Sequence, residues 1–431
     1  MQLKKQIGLA VGALLSVTSL PSIAEDWLID SSVLNYSEKD SQGQSRVNVL
    51  EPVLSVTKQN APDDFFNVQL VYDTLSGASP NGGFASSNAQ TFSGPSGNGG
   101  YTVPAGLTPL DPNFKDARTA LSLSWMTPLD RFSRYQGGLH FSKETDYTSV
   151  GGSYTYLQDF NNKLTTLNLG VAYSYDTVNP TGGFHNGLTS TASASSTTGT
   201  SGTSSSESDE GNNLMPGKPK NTVDAIIGIT QVYNRYTLMN LNYGITQVSG
   251  YQTDPYKIVP IINVSGFPVD YVYEKRPDSR LKQTIKFDVA EAIGKDSLHL
   301  SYRYYWDDWG VKAHTYDAKY HLSLGERFYL EPHYRLSNQL AANFYRLSLL
   351  NTSTTPKYAS SDVRLADMKT ETVGGMIGFR LTRDTSLTLN MEEMTQTGNS
   401  YSNNAIGDQK LHDMFPTVKA SIVTLGIRTK W

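Results

Sequence analysis

The chain has 431 residues and no cysteine, and its 36 Lys and Arg nearly balance 40 Asp and Glu. That excludes a disulfide-stapled fold, a cysteine-ligated metal or cluster, a thiol nucleophile and a basic nucleic-acid footprint. Only 18% of residues are charged, against roughly 25% in ordinary soluble domains, yet a mean hydropathy of -0.39 also excludes a bundle of membrane helices. A polar, charge-poor chain with 26 Tyr and 36 Gly fits one membrane class that averages conceal, the outer-membrane β-barrel.

Residues 1–24 read as an export signal peptide. Lys4 and Lys5 precede an apolar run over 7–20, and Ser22-Ile23-Ala24 forms a small-x-small cleavage site. Such a run is too short to span about 30 Å of hydrocarbon. The mature chain is therefore expected outside the cytoplasm, as a single domain over 25–431.

From Trp27 onward the dominant period is two. In 164–176, Leu167, Leu169, Val171, Tyr173 and Tyr175 fall on one face, opposite Thr166, Asn168, Gly170, Ala172, Ser174 and Asp176. Alternation of this kind describes a strand with one apolar and one polar face. It recurs in about sixteen segments: 27–38, 45–58, 65–75, 116–126, 135–147, 149–158, 164–176, 222–233, 236–248, 281–292, 297–307, 311–324, 328–337, 371–382, 386–396 and 418–431. Each is long enough for a tilted membrane strand of about 9–11 residues.

The connections alternate in length. Short ones fall at 59–64, 127–134, 159–163, 234–235, 293–296, 325–327 and 383–385. Long ones fall at 76–115, 177–221, 249–280, 338–370 and 397–417. Short periplasmic turns and long extracellular loops are the pattern of bacterial barrels. The expected fold is an all-β transmembrane antiparallel barrel of about sixteen strands in the cell outer membrane. Eighteen result if 256–273 adds a hairpin to the wall. That segment carries Ile258, Val259, Ile261, Ile262, Val264, Phe267 and Val269, too apolar to hang in water, and is expected to pack as a lid or inside the lumen. Residues 189–206 are all Ser, Thr, Gly or Ala and read as a disordered outer loop, whereas 83–100 carries Phe84 and Phe92.

The last strand places Val423, Leu425, Ile427 and the terminal Trp431 on one face, an arrangement resembling the assembly signal of outer-membrane barrels. Trp27, Tyr135, Tyr154, Tyr156, Trp306 and Trp309 lie at strand ends and are expected in the aromatic girdles. Residues 72–83 (YDTLSGASPNGG), 101–106 (YTVPAG), 302–315 (YRYYWDDWGVKAHT) and 331–345 (EPHYRLSNQLAANFY) resemble a family of uncharacterised Gram-negative outer-membrane β-barrel proteins known only as a domain of unknown function. The resemblance spans nearly the whole mature chain. It implies a barrel in the outer membrane and no activity.

Inward positions are the ones that can carry chemistry. Asp73, Asp116, Glu144, Asp146 and Asp176 gather near the outer ends of neighbouring strands, as a cation-attracting rim, a divalent site or a solvated edge. A second wall carries His299, Arg303, Asp307, Asp317, Lys319, His321, Glu331, His333 and Arg335. A tight turn near Gly325-Glu326 would set His321 opposite Glu331, Lys319 opposite His333 and Asp317 opposite Arg335. His299, His321 and His333 are weak metal candidates; an ion-pair ladder is the plainer reading. No G-x-S-x-G, H-E-x-x-H or P-loop occurs. His140, Ser142, Glu144 and Asp146 share a face, at a spacing that does not itself make a triad, so no catalytic residue and no cofactor is expected. The first strand follows the signal so closely that an N-terminal plug is not expected.

The function read from this is a porin-like passive channel for small hydrophilic or ionic solutes, with a preference for cations. The alternatives are a loop-plugged receptor working with a periplasmic or envelope partner and, more remotely, a barrel enzyme. Expected partners are outer-membrane lipids and lipopolysaccharide, the barrel assembly machinery and small solutes, but not nucleic acid.

Overall fold

A computed structural model describes residues 26–93, 100–194, 217–400 and 403–431. The expected signal peptide lies outside the described residues. Sixteen strands close into one barrel: β1 (Asp26–Asp40), β2 (Ser45–Ala61), β3 (Asp64–Pro80), β6 (Leu110–Pro128), β7 (Ser133–Lys143), β8 (Tyr147–Phe160), β9 (Thr165–Val178), β10 (Lys218–Val232), β11 (Thr237–Gly250), β14 (Ser279–Ile293), β15 (Asp296–Asp307), β16 (Lys312–Leu324), β17 (Phe328–Leu340), β19 (Met368–Arg380), β20 (Thr385–Gly398) and β21 (Val418–Lys430). Every strand pairs antiparallel with the next, and β1 closes the ring against β21, from Leu28 opposite Lys430 to Asp40 opposite Val418. All sixteen segments expected from alternation are present.

The alternation explains the register. Side chains of successive residues point to opposite faces, so apolar residues at every second place coat one surface. On β9, Leu169, Val171, Tyr173 and Tyr175 are exposed on the outside, while Asp176 is buried. The same exterior is built from Leu139 and Phe141 on β7, Ile227 and Ile229 on β10, and Leu425 and Ile427 on β21. Glycines are used where the wall needs them. Gly137 faces outward beneath the indole of Trp125, whose ring would lie 2.3 Å from a Cβ built there. Trp27 and Tyr154 are exposed on the exterior, as a girdle requires. Trp309 is not: it is 3% exposed and packs with Val311, Ala342, Phe344 and Leu365.

One end of the barrel carries tight turns, such as 62–63, where Asp63 takes a φ of 62°, and 294–295. The other carries the long connections, which fold together into a cap. β4 (Gln90–Ser93) pairs with β5 (Gly100–Val103) as a two-stranded sheet. Loop 251–278 forms the hairpin β12 (Ile258–Ile262) and β13 (Pro268–Tyr273), which makes a three-stranded sheet with β18 (Leu349–Leu350) and takes no part in the barrel wall. The eighteen-strand alternative is thereby corrected: Ile258, Val259 and Ile262 are covered by other loops, whereas Val264 and Val269 are exposed, against the expectation that the whole run packs. Val259 and Val272 pack on Ala359, Ile262 on Phe84 and Met414, and Ile258 on Phe92 and Val103. At the hairpin apex Gly266 adopts a φ of 83°, and a Cβ there would lie 2.1 Å from the Ile406 carbonyl oxygen, so only glycine lets the two loops touch. In the Ser/Thr-rich stretch Thr191–Ala194 forms one helical turn, and 195–206 lies outside the described residues.

Leu425→Arg, on the outward face of the closing strand, should lower barrel stability in lipid vesicles by about 2–4 kcal/mol in urea unfolding. An unchanged midpoint would mean that this face does not meet hydrocarbon.

Candidate functional site

The site is the inner wall and the cap above it. Of the five rim carboxylates, two are neutralised. Asp73, on the inward face of β3, accepts from Arg118 Nε on β6 at 2.8 Å. Asp176 on β9 lies 3.1 Å from Lys220 Nζ on β10. Both carboxylates are buried, where an unpaired charge would be costly.

The remaining three converge. Carboxylate oxygens of Asp116, Glu144 and Asp146 lie within 4.8 Å of one another. Strand β7 ends at Lys143, so Glu144 and Asp146 stand in the turn above it, not on the strand as the sequence predicts. Asp116 Oδ1 fixes that turn by accepting from the Thr145 amide at 3.3 Å. Burial raises the pKa of the Asp146 carboxyl, and the neighbouring charge of Asp116 adds to it. This turn also takes the expected linear set apart: His140 Nδ1 meets Ser122 Oγ at 3.0 Å, and Ser142 is buried.

The second wall pairs as expected. Asp317 stands opposite Arg335, Lys319 opposite His333, and His321 lies 3.6 Å from Glu331. His333 is bracketed by carboxylates, with Nε2 3.0 Å from Asp317 and Nδ1 2.9 Å from Glu392 on β20. An acceptor on each side requires a proton on each ring nitrogen, so His333 serves as a cation. Glu392 was missed in the sequence, although Glu392-Glu393 on a two-residue period forces one of the pair inward. Asp307 is held by Arg280 Nε at 2.8 Å and by the Tyr305 hydroxyl at 2.7 Å. His299 reaches Ser297 at 3.1 Å. The three histidines do not converge: among the described residues, the one group of His, Asp and Glu atoms close enough for a common ion is Asp116, Glu144 and Asp146. His299, His321 and His333 are therefore not brought together as metal ligands.

Exposure varies along the wall. Inward-facing His299 and Arg335 are exposed, whereas inward residues near the cap, such as Arg280, Asp307 and Thr315, are buried.

Sequence reasoning missed the lock within the cap. Arg276 Nη2 donates to Glu274 at 3.0 Å and to Asp362 at 2.7 Å. Arg364 Nη2 donates to Asp254 at 2.7 Å, and its Nε to Asp362 at 2.7 Å. Ser360 donates to Glu274, and the Lys257 ammonium to the Pro80 carbonyl. Glu274, Arg276 and Asp362 are buried. Burial opposes ionisation of Asp362, but Arg364 and Arg276 hold its carboxyl well below the usual range. Burial drives the Glu274 carboxyl upward against the pull of Arg276. The network joins loops 251–278 and 341–367.

Residues 6–429 match the family described as "Protein of unknown function (DUF3570)". No curated protein matches the chain. Solved structures that cover it include a "Bacterial polysaccharide outer membrane secretin" (8% identity, 94% of this chain and 98% of that one, TM-score 0.42). Another is OccK2 (OpdF) of Pseudomonas aeruginosa (8%, 94% and 98%, 0.40). A third is the outer-membrane expressed OmpT of Vibrio cholerae (7%, 96% and 100%, 0.39).

Arg276→Ala should leave Glu274 and Asp362 buried without their shared partner, at a local cost of about 3–5 kcal/mol. Limited proteolysis should then cut loop 251–278 faster while the barrel stays intact. An unchanged cleavage rate would show that the network does not hold the cap.

Proposed function

The chain belongs to that family, whose description names no activity, and from the lumen itself we propose that the protein is a passive outer-membrane channel for small hydrophilic or ionic solutes. One observation carries this reading: His299 and Arg335 point into the barrel and are exposed to water there. A sixteen-strand ring is wide enough to leave an aqueous bore unless something fills it. The apolar exterior would sit among outer-membrane lipids and lipopolysaccharide, the tight turns in the periplasm and the cap outside. The aromatic-ended β21 would serve the barrel assembly machinery. Export by residues 1–24 belongs to the same reading, and transport needs no cofactor.

Asp116, Glu144 and Asp146 supply the basis for cation preference. Three carboxylates in a confined mouth focus a negative potential and concentrate counter-ions. The interlocked cap favours a second reading, a receptor whose mouth is shut until a partner or ligand moves the loops. Conduction separates the two.

Folded protein in a planar bilayer should give discrete single-channel steps, and reversal potentials in a KCl gradient should favour potassium. Replacing Asp116, Glu144 and Asp146 with Asn, Gln and Asn should reduce that preference. Absence of steps would remove the channel reading in favour of the closed receptor. A chloride preference in the wild type would remove the role of the rim.

A further inference from the structure

The carboxylates on the second wall are largely committed to histidines. Asp317 stands opposite Arg335 in the register, yet its oxygen bonds His333. Glu392 bonds the other nitrogen of His333, and Glu331 lies beside His321. Arg335 is left exposed in the lumen, with no hydrogen bond or ion pair to the described residues. Arg303 makes one long contact, Nη2 to Thr315 Oγ1 at 3.4 Å, and Thr315 Oγ1 lies 3.1 Å from Ser337 Oγ. Arg303, Thr315 and Ser337 occupy one row across β15, β16 and β17, and Arg335 is the next inward residue below Ser337. The charge of Arg335 acts on Arg303, and also on the Asp317 carboxylate opposite it on β16. Lys319 adds a third cation on the same face of β16.

Asp317 stands between them on β16 but is hydrogen-bonded to His333, so it answers only part of the positive charge of Arg303, Arg335 and Lys319, and an anion would stabilise the rest. A guanidinium offers a planar fork of donors that matches carboxylate and phosphate oxygens, and neighbouring hydroxyls supply further donors. We propose that Arg303 and Arg335, with the hydroxyl of Ser337 that buried Thr315 helps to orient, form a binding station in the lumen for the oxyanion group of a small hydrophilic solute. The rim triad stands across the bore, since β6 and β7 lie eight places round the ring from β16 and β17. Cations gathered at that rim and an anion held at this wall thus occupy opposite sides of the lumen. The proposal rests on a water-accessible lumen, but binding does not require through-conduction.

Isothermal titration calorimetry on the full folded chain in detergent tests it, with inorganic phosphate and acetate as separate probes. A heat-shifted gel band verifies folding of each variant. The wild type should give a saturable isotherm with at least one probe. Replacing both Arg303 and Arg335 with Gln should weaken it at least tenfold, and Arg335→Lys, which keeps the charge and loses the fork, severalfold. Lys295→Gln, which removes an exposed cation in the 294–295 turn, should leave it within twofold. A phosphate preference would assign a phosphorylated solute, and an acetate preference a carboxylate. No saturable heat with either probe, or equal affinity in Arg335→Lys and the double variant, would overturn the station. Binding without conductance would leave the station standing and remove only the channel.

Discussion

The rest of the structure depends on a constraint of the hydrocarbon layer. No water reaches the backbone there, so every amide and carbonyl of a spanning segment must find a partner within the protein. A sheet meets that condition only when it closes. Here closure is made by the first and last barrel strands, and the chain-end bonds complete it: Trp27 N donates to Trp431 O at 3.0 Å, and Trp431 N returns to Trp27 O at 2.8 Å. Once the ring is closed, the two-residue period of each strand sorts side chains without further instruction. Apolar residues coat the outside and polar ones face the inside.

That sorting was legible in the sequence because it is local. Each strand carries its own alternation, and the contrast between tight turns and long loops follows from where the chain reverses. The charges on 312–337 were legible for the same reason: one tight turn fixes which residues stand opposite each other, as Asp317 and Arg335 do. What the register did not reveal is which partner each charge chooses. Asp317 bonds His333, two residues from its facing arginine, because His333 sits between it and Glu392 from a strand much further along the chain.

The cap was illegible for a related reason. Its loops have no period, and its ion network joins Arg276 to Asp362 across 86 positions. The apolar run at 256–273 implied burial, which Ile258, Val259 and Ile262 meet and Val264 and Val269 do not, and burial against lipid and burial against other loops leave the same signature in sequence. Trp309 misled in the same way: an aromatic at a strand end suits a membrane girdle, and also the core beneath a loop. The division follows physical range, with the wall set by neighbours in sequence and the cap set by contacts among distant loops.

The account stands on the claim that one face of each strand meets lipid and the other meets water. Because the chain contains no cysteine, single replacements report this without background. The most direct measurement is labelling of Ser301→Cys, inward on β15, and of Leu300→Cys, its outward neighbour, with a charged water-soluble maleimide in protein folded into vesicles. The account predicts rapid labelling at 301 and protection at 300. Protection at both positions would contradict a water-filled lumen, and labelling at 300 alone would reverse the faces of the barrel.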